Sequence, residues 1–298
     1  MIQGPRLLEL WTRYRDAFEA PVRSFELPRF GKRFEDRTYQ MGVLNLSPDS
    51  GYRESICHTV EAALYRARRM TLEGAAMVDI GAESTGDTAD RVSIERQIDR
   101  MRPVVGPLAA EGILCSIETY HPEVAIAMLE VGAGVVNLTG RVDAPELYRA
   151  IARHDAGLVL CYTPGETACS SAELPPPREL LDAQIKFFEE RLDLAQGQGV
   201  ERIWLDPGFG FALNLSDGPD RIRYQTESIL HSFRLRVLGW PVAVQMTGSV
   251  WLFRDEVRVG AVSAATIASI SRANLLRSHE VPKVQPVIKL LDFGGLDG

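Results

Sequence analysis

The amino-acid sequence predicts an α/β protein, a (β/α)8 TIM barrel with an N-terminal helix and a short hairpin. Beyond residue 40, short apolar runs alternate with amphipathic stretches and give eight strand–helix units in roughly 260 residues. A barrel of this class typically takes about 250 residues. The 298-residue chain could also hold two doubly wound domains, but no composition shift after residue 40 marks a second domain. We therefore expect residues 1–36 to be an extension and residues 37–298 to be one barrel.

Each predicted strand is a short apolar run, and each predicted helix is a longer stretch in which apolar residues recur every three or four positions. The strands are expected at 41–46, 77–81, 114–117, 135–137, 158–161, 203–205, 242–246 and 275–277. The helices are expected near 57–74, 92–111, 121–132, 144–154, 178–198, 222–236, 259–273 and 281–291. This regular order of elements is typical of a barrel.

The first residues have the pattern of an amphipathic helix. Leu7, Trp11, Tyr14 and Phe18 recur at i, i+4, i+7 and i+11, which places them on one helix face. We expect this helix to dock on the barrel, and a partner-binding helix is the alternative. Short apolar and polar stretches around Gly31 suggest a small hairpin after it.

Composition excludes several classes of function. Asp and Glu outnumber Lys and Arg by 40 to 33, and the net charge of -7 disfavours sequence-independent binding to nucleic acid or to an anionic membrane. The four cysteines form no CxxC pair, so reduced thiols in a cytoplasmic protein are expected. Charges from Arg6 onward interrupt any signal-peptide pattern, and Gly, Pro, Gln, Thr and Ser break up the uncharged stretch 237–253, so we predict no membrane span.

Polar residues cluster where the predicted strands end, which in a barrel is the rim that carries the reactive groups. The rim residues that stand out are Asn45, Asp49, Thr85, Glu118, Asn137, Asp206, Arg277 and His279. Any one of them could be a turn or cap residue. Their convergence on one rim favours a binding site.

Three of these residues suggest a polar heterocycle as ligand. Glu118, Asn137 and Asp206 are hydrogen-bonding groups that could read the edge of such a ring. A buried carboxylate that faces two ring N–H donors makes a charge-assisted pair with them.

The other residues suggest an anionic group on the same ligand. Arg277 and His279 occupy alternate positions of one strand and form a cationic pair suited to phosphate or diphosphate. Asn45 and Asp49 could hold Mg2+ on a diphosphate, because this ion prefers hard oxygen ligands.

Five motifs carry a family resemblance: 41–50 (MGVLNLSPDS), 79–85 (DIGAEST), 116–120 (SIETY), 206–211 (DPGFGF) and 277–279 (RSH). In this order and spacing they resemble the dihydropteroate synthase family, from about residue 36 to the end of the chain. The resemblance implies a TIM barrel, usually dimeric, in folate biosynthesis. The implied reaction joins 6-hydroxymethyl-7,8-dihydropterin diphosphate to p-aminobenzoate, with Mg2+, and releases diphosphate.

By position, the resemblance implies roles at the pterin end of the site. Asn137 and Asp206 would bind the pterin ring, and Glu118 stands where the family has Asp. Asp49 belongs to the first loop, which is mobile in the family and closes over the site. The implied chemistry is ionisation at the pterin methylene carbon followed by attack of an amine.

The resemblance also implies roles at the diphosphate end. Asn45 would hold Mg2+ and diphosphate, Arg277 and His279 would bind the diphosphate, and Thr85 would lie near it. Stabilisation of the developing negative charge would help the diphosphate to leave. We therefore predict catalytic roles for Arg277 and His279, together with Asp49.

The sequence departs from the family pattern at several positions. After the seventh strand, Thr247-Gly248-Ser249 replaces the family's Ser-Arg-Lys. Elsewhere Gly86 replaces an Arg of the family, Glu118 and Leu138 each replace an Asp, Tyr162 replaces a His and Leu213 replaces a Lys. The diphosphate side, with Asn45, Arg277 and His279, matches. These differences predict a transferase whose amine acceptor is either p-aminobenzoate or an altered one.

Two other hypotheses stay open. The loss of the strand-seven Arg and Lys would fit a noncatalytic or regulatory paralogue that binds a pterin. A pterin-dependent methyl transferase of the related barrel family also binds its ligand through Asp and Asn, although the first loop here resembles the synthase. The expected partners are a pterin diphosphate, an amine and a second copy of the chain in a homodimer, with no nucleic acid and no membrane.

Overall fold

The structure is a barrel of eight parallel strands preceded by a short N-terminal extension. The computed structural model describes residues 4–48, 55–84, 90–141, 144–163, 165–167, 175, 177–208, 218–246, 253 and 256–293. The predicted fold class, a TIM barrel with an N-terminal helix and hairpin, is confirmed.

The extension contains two helices and a hairpin. Helices α1 (Gly4–Arg13) and α2 (Arg15–Glu19) replace the single helix expected, because Tyr14 has non-helical dihedral angles (φ -117°, ψ 36°). The expected face persists across this break, since the rings of Trp11 and Phe18 lie 5.5 Å apart. Strands β1 (Phe25–Leu27) and β2 (Lys32–Phe34) then pair antiparallel. Gly31 ends the connecting turn with φ +58°, a left-handed conformation that glycine adopts without a steric penalty.

The barrel strands neighbour one another in chain order. They are β3 (Tyr39–Asn45), β4 (Met77–Gly81), β5 (Cys115–Thr119), β6 (Val135–Leu138), β7 (Gly157–Cys161), β8 (Ile203–Asp206), β9 (Ala243–Gln245) and β10 (Leu275–Ser278). The N–H of Leu205 donates to the carbonyl of Pro241 at 2.9 Å, which brings β8 beside β9 and closes the ring. Each of the eight predicted strands is present within two residues of its expected bounds.

Helices follow the strands and cover the outside of the barrel. They are α3 (Val60–Leu72), α4 (Ile94–Ala110), α5 (Pro122–Val131), α6 (Pro145–Arg153), α7 (Pro177–Gly197), α8 (Pro219–His231), α9 (Val257–Ile270) and α10 (Val281–Phe293). Thr59 and Ser93 cap α3 and α4 by accepting hydrogen bonds from backbone N–H groups of the first turn. Helix α8 ends earlier than expected and continues as a 3-10 helix, Ser232–Leu238. Across the described residues, no helix combines the length and apolarity needed to cross a membrane.

The hairpin seals the N-terminal end of the barrel with apolar side chains. Trp204, on β8, is 1% exposed and meets the rings of Phe25 and Phe34 edge-on at 4.6 and 4.9 Å. Residues at or beside the starts of the other strands complete this cluster: Met41, Met77, Leu114, Val135, Val159, Ala243 and Leu275. Ligand access to the barrel interior is therefore left to the opposite end, where the strands finish.

A buried arginine ties the extension to the barrel. Arg236, whose side chain is fully buried, donates two hydrogen bonds to the carboxylate of Asp36 (2.9 and 2.6 Å) and two to the carbonyl of Ala20 (3.2 and 2.7 Å). Asn274 donates to Asp36 at 2.9 Å and accepts from the N–H of Val242 at 3.0 Å. Burial would raise the pKa of Asp36, but the hydrogen bonds from Arg236 and Asn274 outweigh burial and lower it.

This network predicts the effect of Asp36→Ala on stability. Removing one partner of a buried ion pair leaves the other charge uncompensated, so we expect the free energy of unfolding to fall by about 3 kcal/mol. Glu35→Gln is the matched control, because Glu35 pairs with Arg33 on the surface (3.0 Å) and its loss should cost less than about 1 kcal/mol. Urea unfolding at pH 7 measures both values, and equal stability of the two variants would contradict the prediction.

Candidate active site

Four charged side chains from four strands meet at the C-terminal end of the barrel. They are Asp79 on β4, Glu118 on β5, Asp206 on β8 and Arg277 on β10. Their side chains are almost entirely buried: Glu118 retains 10% of its side-chain exposure, and the others retain less. Buried charges require compensating partners, and the contacts within this group supply them.

Arg277 is the centre of the group. Its Nε donates to Asp79 Oδ2 at 2.7 Å, and its Nη2 donates to Glu118 Oε2 at 2.6 Å. Two charge-assisted contacts of this length hold the planar guanidinium in one orientation. The third nitrogen, Nη1, has no acceptor within the described part of the chain. The arginine thus joins two carboxylates and retains donors for a ligand.

Asp79 supports this arrangement from within the sheet. It accepts a hydrogen bond from Ser116 Oγ at 2.6 Å and another from Asn137 Nδ2 at 3.0 Å, besides the one from Arg277. Neither Asp79 nor Ser116 was among the site residues predicted from the sequence. The sequence did contain a signal for them, because each is a polar residue inside an otherwise apolar strand. Polar side chains are buried at such positions only when they have hydrogen-bond partners.

The amide of Asn137 has an acceptor that the protein leaves unused. Its nitrogen, Nδ2, donates to Asp79 Oδ2 at 3.0 Å, which sets the orientation of the amide. The other end, Oδ1, is buried and receives no hydrogen bond from any described residue. Buried acceptors are normally satisfied, so this atom indicates a ligand that carries a donor.

Asp206 occupies the turn that follows β8. Its Oδ1 accepts a hydrogen bond from the N–H of Gly208 at 2.8 Å, and Gly208 has a left-handed φ of +68° that favours glycine. The second carboxylate oxygen receives no hydrogen bond from the described residues. Asp206 therefore adds another available acceptor to the same mouth.

Glu118 and Asp206, two of the three carboxylates buried around Arg277, have raised pKa values. Burial raises the pKa of Glu118 to about 7, with Arg277 opposing and the charges of Asp79 and Asp206 reinforcing the shift. Burial likewise raises the pKa of Asp206 to about 6, against the N–H of Gly208 and the charge of Arg277. The site therefore retains a proton close to neutral pH, and a ligand with N–H donors would compete with that proton for the carboxylates.

Most of the barrel matches a known family of enzymes. Residues 41–272 match the family described as pterin binding enzyme. The chain belongs to this family.

Relatives within this pterin-binding family are dihydropteroate synthases. The chain is 31% identical to the dihydropteroate synthase of Synechocystis sp., over 86% of this chain and 90% of that protein. It is also 31% identical to a probable bifunctional folylpolyglutamate synthase/dihydropteroate synthase of Halobacterium salinarum, of whose length it spans 31%. The predicted family and the predicted transferase type of enzyme are confirmed at this level.

A solved structure supports the same relationship in three dimensions. The dihydropteroate synthase of Xanthomonas albilineans, determined with 4-aminobenzoic acid, matches with a TM-score of 0.77 and 28% sequence identity. The match covers 93% of this chain and all of that one (100%). The pterin-binding family and the barrel fold are thus supported by sequence and by structure.

His279 follows β10 and differs in charge from the sequence expectation. Burial lowers its pKa to about 3, and the nearby charges of Arg277 and Arg66 act in the same direction. The imidazole is therefore neutral near pH 7 in this state. Instead of the expected pair of cations, the structure has one cation, Arg277, beside a neutral histidine that can still take part in hydrogen bonds.

Asn45, which the sequence predicts as a Mg2+ ligand, lies at the end of β3. Its Nδ2 donates to Ser55 Oγ at 2.5 Å, and its carboxamide oxygen is the kind of hard ligand that Mg2+ prefers. The described residues include no group of three or more His, Cys, Asp or Glu side chains that could hold a metal ion. Asp49 and Thr85, the predicted site residues that follow β3 and β4 in the sequence, lie outside the described residues.

The positions that depart from the family pattern fall in different places. Leu138 is 1% exposed and lies in the apolar core, while the ring of Tyr162 packs edge-on against Phe187 of α7 at 5.3 Å. The backbone N–H of Tyr162 donates to the carbonyl of Asp206 at 2.8 Å, so this residue touches the site through its main chain. Gly86, Leu213 and 247–249 lie outside the described residues.

The raised pKa of Asp206 predicts how stability depends on pH. Below about pH 4, Asp206 is protonated in both the folded and the unfolded chain. Between about pH 4 and 6 the folded state keeps a proton that the unfolded state has lost, so stability falls as the pH rises, and above pH 6 the loss persists. Because the pKa of Asp206 rises from its ordinary value near 4 to about 6, the loss approaches about 3 kcal/mol. Glu118 adds a loss of the same sign up to about pH 7.

Asp206→Asn removes this titration and provides the test. We expect the variant to gain stability relative to the native chain between pH 4 and 6, and to keep a constant advantage above that range. Urea unfolding at a series of pH values measures the difference. Asp155→Asn is the control, because the side chain of Asp155 is 77% exposed, and its difference should stay flat. A flat difference for Asp206→Asn as well would contradict the assignment.

Proposed function

We propose that this enzyme binds 6-hydroxymethyl-7,8-dihydropterin diphosphate in the barrel mouth and transfers the pterin methylene group to an amine, as a step of folate-type biosynthesis. The observation that carries the proposal is the buried, incompletely satisfied acceptor set of Asn137, Asp206 and Glu118. The similarity to dihydropteroate synthases supports the class of reaction.

The pterin would bind through its donor edge. The pyrimidine half of a pterin carries an exocyclic amino group and ring N–H groups, which need acceptors when they leave water. Asn137 Oδ1 and the second oxygen of Asp206 offer such acceptors in a buried space. A hydrogen bond to a charged partner such as Asp206 contributes about 1.5–3 kcal/mol, and one to a neutral partner such as Asn137 contributes about 0.5–1.5 kcal/mol. The acceptor set is therefore sufficient to orient the ring.

The diphosphate would lie toward Arg277. Two of its guanidinium nitrogens are engaged by Asp79 and Glu118, which leaves Nη1 as the available donor. His279 is neutral near pH 7 and would contribute a hydrogen bond rather than a charge. Because the two carboxylates already offset the charge of Arg277, a diphosphate would need additional positive charge from another source.

Mg2+ fits that requirement. In proteins this ion is commonly held by one or two carboxylates together with substrate phosphates and waters, and Asn45 at the end of β3 offers a carboxamide oxygen, which is also a hard ligand. When bound, the ion would neutralise charge on the leaving diphosphate. We propose Asn45 as its protein ligand, with Asp49 and Thr85 as further groups near the diphosphate.

The proposed reaction exchanges one bond at the pterin methylene carbon. The C–O bond to diphosphate breaks, and its electron pair leaves with the diphosphate. The lone pair of the amine forms the new C–N bond, and the nitrogen then loses a proton to solvent or to the diphosphate. The chain's own contribution is to hold the pterin on Asn137 and Asp206 and to stabilise the departing oxygens through Arg277.

The first candidate for the amine is p-aminobenzoate. It is the ligand of the Xanthomonas albilineans relative, which matches this chain over 93% of its length. An altered aryl or alkyl amine is the second candidate, because the sequence departs from the family pattern after the seventh strand. We assign the activity to residues 37–298, and the homodimer and cytoplasmic location stay predictions.

Two substitutions at the acceptor set test the proposal. Asp206→Asn and Asn137→Leu should each weaken the binding of 6-hydroxymethyl-7,8-dihydropterin diphosphate, measured by calorimetry with Mg2+, by about ten- to a hundredfold, because each removes an acceptor for a buried ring donor. Asp155→Asn serves as the exposed control and should bind like the native chain. Diphosphate release with p-aminobenzoate is measured in parallel.

The outcomes separate binding from catalysis. Failure of the native chain to bind the pterin diphosphate would overturn the proposal entirely. Binding without diphosphate release, over p-aminobenzoate and a panel of aryl and alkyl amines, would overturn the transferase activity and leave a pterin-binding protein.

A further inference from the structure

A cavity lies outside the barrel, between the N-terminal extension and helices α7 and α8. Its volume is 460 Å³, and its lining includes Tyr14, Leu181, Gln184, Tyr224, His231 and Arg234. None of the charged residues of the barrel mouth lines it. Small-molecule sites typically occupy about 300–1,000 Å³, so the volume suits a ligand of one or two rings.

The cavity has a cation held in place on an aromatic ring. The guanidinium carbon of Arg234 lies 3.8 Å from the centre of the Tyr14 ring, which is a cation–π contact. Among the described residues, Arg234 makes no hydrogen bond or ion pair with the protein. Stacking leaves the edge of the guanidinium, with its N–H donors, available to a planar acceptor such as a carboxylate.

The remaining polar groups of the cavity do not cancel this charge. Burial and the neighbouring Arg234 lower the pKa of His231, so the histidine is neutral near pH 7. Its Nδ1 is buried and has no hydrogen-bond partner in the described residues. Glu227 also lines the cavity, but Arg223 lies 3.1 Å away and offsets its negative charge.

The rest of the cavity is apolar and aromatic. Leu180, Leu181 and Tyr224 line it and retain only 7–8% of their exposed area. The rings of Tyr14 and His231 meet edge-on at 6.4 Å. An aromatic ring would bury its surface against these side chains and gain about 25 cal/mol for each Å² removed from water.

From this arrangement we propose a second ligand site, for a small flat aromatic carboxylate. The carboxylate pairs with the guanidinium edge of Arg234, and the ring packs against Leu181 and Tyr224. A diphosphate fits less well, because the apolar residues would leave most of its oxygens unsolvated. The site adjoins the barrel mouth, since Gln184 Nε2 donates to the carbonyl of Pro207, the residue after Asp206, at 2.8 Å. The test must therefore distinguish the two sites.

Calorimetry with 2-naphthoate as the probe tests the proposal on the full chain. We expect the native chain to bind 2-naphthoate at least about tenfold more tightly than the neutral isostere 2-naphthamide, because only the former makes a charge-assisted pair. Arg234→Gln should abolish this preference and weaken 2-naphthoate binding about ten- to a hundredfold. Arg234 is partly exposed, so the variant should keep its fold, which its thermal unfolding checks.

Two further variants assign the binding to this cavity. Arg149→Gln is the matched control, because Arg149 is a surface arginine on α6 that contacts Gln198 at 3.1 Å and lies outside the cavity. Both this variant and Asp206→Asn should bind 2-naphthoate like the native chain. Equal affinity for probe and amide, unchanged binding in Arg234→Gln, or loss of binding in Asp206→Asn would each overturn the proposal.

Discussion

The contacts of Arg277 with two carboxylates are the interaction on which the site depends. Asp79, Glu118 and Asp206 are buried together at the end of the barrel, where like charges repel each other more strongly than they would in water. One guanidinium offsets much of this repulsion and fixes the directions of Asp79 and Glu118. It also remains charged, because the carboxylates raise its pKa although burial alone would lower it.

The barrel has a buried arginine at each end, and the two are satisfied to different degrees. Arg236, near the N-terminal end, has its donors taken by Asp36, Ala20 and Asn274. Arg277 retains Nη1, and its neighbour Asn137 retains Oδ1. A fully satisfied network stabilises the fold, whereas unused donors and acceptors in a buried space can bind a ligand. This difference fits a structural role for the hairpin end and supports the binding site that we propose at the opposite end.

Much of the fold could be predicted because its signals are local. Strand β4 was expected at its observed bounds, since Met77, Val78 and Ile80 form a short apolar run that only Asp79 interrupts. Tyr14 shows the limit of such signals: the face from Leu7 to Phe18 continues across it, so periodicity predicted one helix where the backbone breaks into two. The edge-on contact of Phe18 with Phe233, a residue far along the chain, has no local sequence signal.

The sequence by itself determined the barrel, the rim on which polar residues converge and the family. Period, length and motif order are local properties, and they place Glu118, Asn137, Asp206 and Arg277 at strand ends. The tertiary structure alone decided how these residues are paired and charged. Asp79 became the partner of Arg277, and His279 lost its charge, because burial and distance between strands set hydrogen bonds and pKa values. Those quantities arise only when distant segments pack together.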